Sequence, residues 1–357
     1  MPKIAWDLMS YIRRVIIEEI RGRRFRVYGS SGRENNEVEL GRINVLTGCN
    51  GSFKTSILEA LTASLLMLTD PGRAQSLFTV AMTLRMDDFW LYKLLGDGFR
   101  LMVDDVVVRT IGINDLIRLL TEHKKPLPPM TSLARAAVAE SNDGKDLISL
   151  LEADVIQIST VTQQVQYNLH IAVNKFNNNI NYDFMALSTP NPLTPQFVGS
   201  FMKLVDYAKA INLFNKVFEG LEISFVGLKP DEFDRNSIVF VTRDGEIPIQ
   251  YLGSGYLSLA LMVLTASRKI VIYDNVELHL HPWLMHKAAE LMSSTKDVQW
   301  IITTQSSEML EAILNSVDLN ELLVIETSTK GLLRVYDGDE ANRRVKKLDE
   351  DLRGSCL

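Results

Sequence analysis

The stretch from Gly48 to Thr55 has the residue types and the spacing of a phosphate-binding loop. It reads GCNGSFKT and lies between a strand-like run at 42–46 and a helix-like run at 57–61. In this arrangement, successive backbone N–H groups and the positive end of a helix dipole point at one spot, which favours an anion. The order of strand, glycine-rich loop, Lys-Thr and helix is that of a P-loop.

The polar residues of this stretch have distinct expected roles. Lys54 is expected to neutralise the outer phosphates of a nucleotide. The Thr55 hydroxyl is expected to bind Mg²⁺, a hard cation that prefers oxygen ligands. The other candidates for nucleotide binding belong to the loop and to the first turn of the helix: Gly48, Asn50, Gly51, Ser52 and Ser56.

Phe53 departs from the P-loop pattern, which has glycine immediately before the lysine. Glycine there tolerates unusual backbone angles and lets phosphate approach closely. Phenylalanine is expected to lose both advantages. The alternative interpretation is a strand-to-helix turn that contains glycine and has a lysine beside it. The motifs in the rest of the chain decide between the two.

Composition limits the class of protein. A length of 357 residues with 46% hydrophobic residues suits about two domains, or one core with a large insertion. A net charge of −6 argues against extensive coating of nucleic acid. The cysteines Cys49 and Cys356 form neither a disulfide framework nor a metal cluster. Since we find neither a signal peptide nor an apolar run long enough to span a bilayer, we expect a cytoplasmic protein without a membrane partner.

Strand and helix patterns divide the chain into four parts. These are an N-terminal lobe at 1–110, a mainly helical insertion at 111–221, a C-terminal lobe at 222–340 and a tail at 341–357. Within the insertion, the pattern predicts helices at 131–140, 144–152, 160–176 and 197–219.

Six arginines between positions 13 and 26 form a basic cluster. A solvated strand face is the favoured interpretation, because no aromatic interleaving or known recognition module accompanies the arginines. The alternative is a contact with a nucleotide or with a nucleic-acid backbone.

A second glycine motif, LGSGY at 252–256, opens an apolar helix in the C-terminal lobe. A Gly-Ser-Gly turn at a helix N-terminus is a potential anion site, which makes Gly253, Ser254 and Gly255 candidates for nucleotide binding. The alternative is an ordinary helix cap.

Two later strands end in polar residues. The buried run at 269–274 ends in Asp274, where a P-loop protein places the carboxylate that holds Mg²⁺. The run at 298–304 ends just before Gln305. Both strand ends are therefore candidates for the same site as the P-loop.

The four motifs GCNGSFKT, LGSGY, IVIYDNVELHLHP and IITTQSS occur in an order that resembles the ABC-class ATPase domains of the SMC, RecF and OLD-like groups, often described as AAA-type core-domain ATPases. The resemblance covers roughly residues 14–70 and 222–340 and leaves the middle unmatched. It implies an α/β fold, namely the mixed sheet of a P-loop NTPase like an ABC-ATPase head, here with a mainly helical insertion. It also implies ATP and Mg²⁺ as cofactors.

The resemblance implies roles for individual residues. Lys54 and Thr55 bind phosphates and Mg²⁺, and Asp274 holds Mg²⁺ directly or through water. Gly253 to Gly255 act as the signature loop, which meets the γ-phosphate of a second subunit, so that ATP lies between two heads. The implied partner is a second copy or a related ATPase. His281 and Pro282, which also match the family pattern, are as well explained as a cap of the next helix.

Three departures from the family affect the positions nearest the γ-phosphate. Asn275 stands where the family has its catalytic glutamate, and an amide cannot accept a proton from water. Gln305 stands where the family has a histidine, and it can donate a hydrogen bond but carries no charge. Phe53 is the third. Glu277 is either a displaced base or, as we favour, a structural cap.

These observations leave two hypotheses. The first is an ATP-binding head that dimerises on nucleotide and hydrolyses it slowly, used in DNA maintenance or in defence against invading DNA, with DNA as a further partner. The second is a pseudo-ATPase that serves as a scaffold or regulatory subunit. A nuclease of the OLD kind is not expected, because it would need a carboxylate-rich domain after residue 340.

Overall fold

The computed structural model of the protein describes residues 11–29, 32–35, 37–84, 89–127, 134–159, 165–177, 180–188, 195–219, 223–230 and 236–353. These described residues form ten α-helices and nineteen β-strands, so the chain has a mixed α/β fold. None of the helices in these ranges is both long and apolar enough to cross a membrane.

The helices are α1 (Lys54–Met67), α2 (Pro71–Ala81), α3 (Trp90–Asp97), α4 (Ile113–Glu122), α5 (Pro195–Leu204), α6 (Tyr207–Val217), α7 (Ser254–Thr265), α8 (Pro282–Ser294), α9 (Ser307–Ser316) and α10 (Gly338–Leu348). The strands are β1 (Arg14–Ile20), β2 (Arg23–Arg24), β3 (Arg26–Tyr28), β4 (Glu34–Asn35), β5 (Val38–Glu39), β6 (Ile43–Thr47), β7 (Phe99–Val103), β8 (Val106–Ile111), β9 (Arg135–Ser141), β10 (Leu147–Ser159), β11 (Val165–Lys175), β12 (Phe184–Ser188), β13 (Ser224–Pro230), β14 (Asn236–Thr242), β15 (Gly245–Pro248), β16 (Ile270–Asp274), β17 (Gln299–Thr304), β18 (Leu322–Thr327) and β19 (Leu332–Asp337).

The candidate site lies on a mixed sheet with the strand order β12-β16-β17-β6-β18-β19-β3-β4. Strand β6 is central and runs parallel to both of its neighbours, so that Thr47 faces Thr304 of β17 and Glu326 of β18. All five residues of β6 are buried, as expected for a parallel strand that is covered on both faces. Because the central strands are parallel, their C-terminal ends share one edge of the sheet.

A second sheet is antiparallel, with the order β11-β10-β9-β8-β7-β1-β2 and with β5 paired to β1. Asp104, in the turn between β7 and β8, connects it to the first sheet. One oxygen of this carboxylate accepts the backbone N–H groups of Arg13 and Arg14 at 2.9 and 3.1 Å. The other accepts the Tyr182 hydroxyl, just before β12, at 2.6 Å. A third, three-stranded sheet comprises β13, β14 and β15.

The prediction of a mainly helical insertion at 111–221 is wrong for the described residues. The predicted helices at 131–140, 144–152 and 160–176 are replaced by the long strands β9, β10 and β11, which extend the antiparallel sheet. Only α4, α5 and α6 are helical, and Phe184–Ser188 is a strand of the parallel sheet, paired with β16.

The physical reason is burial on both faces of the strands. Alanines 136, 137 and 139 of β9 are each at most 3% exposed. Ala136 packs with Leu116 and Leu120 of α4, whereas Ala137 belongs to the main core on the other face. A strand that is covered on both faces has a continuous run of apolar residues. A buried helix can have the same run, so hydrophobic periodicity does not distinguish the two. Tertiary packing here overrides the helix propensity of alanine.

Candidate functional site

The structure has the strand, loop and helix that the sequence predicts around Gly48. Strand β6 ends at Thr47, the loop follows, and α1 begins at Lys54. Gly48 and Gly51 have φ angles of 148° and 80°, which glycine tolerates better than other residues. A Cβ atom on Gly48 would lie 2.5 Å from the carbonyl oxygen of Thr327. The close approach of β18 therefore requires glycine at this position.

The other residues predicted to bind nucleotide differ in exposure. Asn50 and Gly51 form the exposed tip of the loop, whereas Ser52 and Ser56 are buried. The Ser52 hydroxyl lies 2.7 Å from the hydroxyl of Thr327, which itself donates to the Thr47 carbonyl at 3.0 Å. Ser52 therefore fixes the loop to the end of β18, and its hydroxyl has a structural partner.

Lys54 is folded into the loop. Its ammonium group donates to the carbonyl oxygens of Gly48 and Cys49 at 2.6 and 3.0 Å, and the residue is only 7% exposed. The loop curves around the cation, which places a positive charge beside the backbone N–H groups at the start of α1. This combination of a positive charge and the N–H groups of a helix N-terminus suits phosphate. Cys49 is a buried free thiol, and Cys356 lies outside the described residues.

Thr55 and Asp274 meet at the C-terminal edge of the parallel sheet. The Thr55 hydroxyl donates to one Asp274 carboxylate oxygen at 2.9 Å, and the Thr303 hydroxyl donates to the other at 2.6 Å. Asp274 ends β16 and is 1% exposed. A residue of the first turn of α1 and a residue at the end of a strand two places from β6 thus present a hydroxyl and a carboxylate to one point.

This donor set fits Mg²⁺. The ion prefers oxygen ligands in octahedral geometry, and it is usually held by one or two protein groups together with water and substrate phosphates. Thr55 and Asp274 would supply those protein oxygens. Within the described ranges, no group of three or more His, Cys, Asp or Glu residues is arranged to hold a metal by itself. The donor set therefore suits a metal that arrives with phosphate.

Phe53 adopts the left-handed conformation that the sequence argument reserved for glycine. Its φ and ψ angles are 68° and 8°, so the expectation that phenylalanine loses the backbone geometry is wrong. Such a conformation costs a non-glycine residue about 1–2 kcal/mol. The ring packs edge-on against Phe25, with the centroids 5.7 Å apart, and this contact offsets part of the cost.

The loop after β16 holds Asn275 and Glu277, and Gln305 directly follows β17. The Asn275 side chain donates to Asp274 at 3.0 Å, and its backbone has a φ of 50°. One oxygen of Glu277 accepts the backbone N–H of Gln305 at 2.9 Å. The other oxygen is buried and accepts no hydrogen bond from the described part of the chain. Glu277 thus joins this loop to the end of β17.

Gly253, Ser254 and Gly255 lie at the start of α7, where the first two are exposed. A Cβ atom on Gly255 would lie 2.9 Å from the His279 carbonyl oxygen and 2.6 Å from Leu284. The motif therefore packs against the loop that follows Asp274.

Sequence reasoning gave no role to several residues that shape the site. Thr303 accepts the backbone N–H of Asn275 at 2.7 Å while it donates to Asp274, and Thr327 holds the P-loop. The only available signal was their position at strand ends. In the basic cluster, Arg14 pairs with Asp105 at 2.6 Å, and Arg21 pairs with Glu59 at 3.2 Å.

Comparison with known proteins gives structural likenesses only. No protein-family model and no curated protein matches the sequence. The SMC head domain from Thermotoga maritima has a TM-score of 0.40 and 13% identity, and the alignment covers 91% of this chain and 98% of that one. An Smc head domain with an extended coiled coil from Pyrococcus furiosus, bound to the C-terminal domain of ScpA, has a TM-score of 0.46 and 10% identity, with 95% and 100% covered.

An SmcHead bound to the C-winged helix domain of ScpA has a TM-score of 0.43 and 14% identity, with 91% of this chain and 97% of that chain covered. Because these TM-scores are below 0.5, we base the functional argument on the geometry of the site.

Proposed function

We propose that this chain binds Mg-ATP at the P-loop as an ABC-class, ATPase-like protein and hydrolyses it slowly. The hydrogen bond between Thr55 and Asp274 carries the proposal, because it brings a hydroxyl from the first turn of α1 and a strand-end carboxylate to one point. Lys54 adds the cation that a triphosphate needs. When Mg²⁺ is bound, it supplies charge neutralisation between the outer phosphates.

Slow hydrolysis follows from the groups beside Asp274. Asn275 donates its amide to the Asp274 carboxylate and cannot accept a proton from water. Glu277 has one buried oxygen without a hydrogen bond in the described residues, but its other oxygen is engaged by the backbone of Gln305. Glu277 thus acts mainly as a cap, and we propose it as an inefficient base.

Nucleotide-dependent dimerisation is part of the same proposal. Gly253 and Ser254 are exposed at the start of α7. Exposed apolar residues precede this turn and adjoin in sequence His279 and Leu284, which Gly255 approaches. Tyr251 is 67% exposed, Trp283 is 44% exposed and Leu278 is 38% exposed. Exposed apolar groups beside a glycine turn support a protein interface, with a second copy or a related ATPase as the partner. A use in DNA maintenance or defence is proposed from the sequence resemblance alone.

The second candidate is a pseudo-ATPase scaffold. The Asn275 amide hydrogen bond to Asp274 favours it, because it occupies a carboxylate oxygen that Mg²⁺ would use. A scaffold would fold and associate with its partner without nucleotide.

Equilibrium binding of Mg-ATP, with sizing of the complex, tests these proposals. We expect micromolar binding and a shift to dimer. Lys54→Ala should abolish binding, whereas Lys216→Ala, at an exposed position of α6, should not. Thr55→Ala should remove the dependence of binding on Mg²⁺. Absence of binding at millimolar ATP would contradict nucleotide binding by the isolated chain, and dimerisation that ignores nucleotide would favour the scaffold.

A further inference from the structure

Arg23 lies beside the P-loop and above the ring of Phe53. The central carbon of its guanidinium is 5.9 Å from the ring centroid. The ring is itself held in place by Phe25, whose plane is at 88° to it. Phe53, which directly precedes Lys54, therefore contacts both Arg23 and Phe25.

The stem of Arg23 is fixed at its other end by Gly331, in the turn between β18 and β19. A Cβ atom on Gly331 would lie 3.1 and 3.2 Å from Cγ and Cδ of Arg23, and 2.5 Å from the Arg24 carbonyl oxygen. The Gly331 carbonyl accepts the backbone N–H of Arg26 at 3.0 Å. The bare glycine backbone thus supports the stem, and Phe53 supports the head group.

Arg23 differs from three other arginines of the basic cluster in its charged surroundings. Arg14 and Arg21 are both in ion pairs, and Arg24 lies 4.0 Å from Glu19. Arg23 is exposed and forms no ion pair within the described residues. The guanidinium of this exposed side chain therefore lies near the Phe53 ring and is accessible to a ligand.

The strand order indicates which end of a nucleotide this face would meet. Asp274 ends β16, which lies on one side of β6, beyond β17. Gly331 and the start of β3 lie on the other side, beyond β18. Since Mg²⁺ bridges the outer phosphates, the triphosphate tail points toward Asp274. The nucleoside end then points toward Arg23.

We propose that the base of the bound nucleotide stacks on the Arg23 guanidinium, which Phe53 and Gly331 hold in place. This inference rests on the proposed nucleotide binding. Phe53 thereby replaces the glycine of the P-loop pattern with a residue that supports the base contact. A planar guanidinium stacks on any base, so the contact adds affinity without selecting between adenine and guanine.

Titrations of the full chain with Mg-ATP, Mg-GTP and Mg-tripolyphosphate, which has no base, test the inference. Arg23→Ala should weaken ATP and GTP roughly 5- to 100-fold, the range expected for loss of one stacked base, and should leave tripolyphosphate unchanged. Arg23→Lys keeps the charge but not the plane and should resemble Arg23→Ala. Arg24→Ala, at a neighbouring side chain that is 91% exposed, is the matched control and should bind normally.

The outcomes separate the two proposals. If the unmodified chain binds neither ATP nor tripolyphosphate, nucleotide binding fails and this inference fails with it. If it binds ATP and Arg23→Ala binds equally well, only the stacking contact is overturned. An equal loss for ATP and tripolyphosphate, with rescue by Arg23→Lys, would make Arg23 a phosphate ligand and would also overturn stacking. Phe53→Leu should give a partial loss for ATP only.

Discussion

Under the proposed function, replacement of Asn275 by glutamate should raise the rate of ATP hydrolysis. In the structure, the Asn275 amide lies 3.0 Å from the Asp274 carboxylate, which binds Thr55 on the same oxygen. A carboxylate at position 275 lies beside the proposed Mg²⁺ ligand and can accept the proton of an attacking water. General-base assistance contributes on the order of 10²–10⁴ in rate, so we expect the barrier to fall by about 3–5 kcal/mol.

The same substitution should destabilise the protein without metal. Asn275→Glu removes a donor from the buried Asp274 carboxylate and adds a like charge next to it. Loss of a hydrogen bond to a charged group costs about 1.5–3 kcal/mol. Mg²⁺ should restore this stability, because a cation held by Thr55 and Asp274 would offset the repulsion between the two carboxylates. The free energy of unfolding, measured with Mg²⁺ and with a chelator, separates this effect from a general defect.

Steady-state phosphate release provides the assay, and Asn275→Gln provides the matched control, since it lengthens the side chain without adding a base. Glu277→Gln keeps an oxygen for the Gln305 N–H and should lower the residual turnover of the unmodified chain if Glu277 is the weak base. The reasoning is refuted if Asn275→Glu binds Mg-ATP but turns it over no faster than Asn275→Gln.

Two further predictions concern stability. Phe53→Gly should unfold with a higher free energy than Phe53→Ala, by about 1 kcal/mol, because both lose the Phe25 contact but only glycine relieves the left-handed backbone; urea unfolding measures the difference, and equal values would mean that the backbone at 53 is unstrained. Burial, and next the Asp104 charge, raise the pKa of Tyr182 in the folded protein, so that folding favours the neutral phenol. The neutral side chain therefore contributes its full stabilisation of the fold below the ordinary pKa of 10.0, and this contribution is lost as the pH rises above that value. Tyr182→Phe should cost about 1.5–3 kcal/mol at neutral pH and should flatten this alkaline loss in pH-dependent unfolding curves; an unchanged alkaline slope would assign the loss to another group.

The parts of the site that sequence alone predicted are those with local signals. Each of two local patterns predicts the end of a strand to within a few residues. These patterns are the glycine-rich turn before Lys54 and the apolar run that ends in Asp274. The structure has both strands, and it places their ends at one edge of the sheet. The contact between Thr55 and Asp274 also required the strand order, which no local pattern encodes.

Contributions that come from distant packing were missed. Phe53 was expected to lose the backbone freedom of glycine, because nothing near it in sequence indicates that Phe25 would hold its ring. The alanines of β9 suggested a helix, because the covering of both faces by α4 and by the main core is a tertiary property. Thr303 and Thr327 are ordinary strand residues until their partners are known.

The central position of β6 has a consequence for synthesis on the ribosome. Its two neighbours in the sheet, β17 and β18, both come from the last part of the chain, and Asn44 and Trp300, which hydrogen-bond across one pair, are 256 positions apart. At a translation rate of about 5–20 residues per second, the strand that carries the P-loop waits roughly 10–50 s for either neighbour. During that interval a strand whose five residues are all buried in the folded protein leaves the ribosome with two unpaired edges, and such edges promote aggregation. The nascent chain is thus most exposed to misassembly after β6 and the loop that follows it have been synthesised and before β17 and β18 can pair with β6.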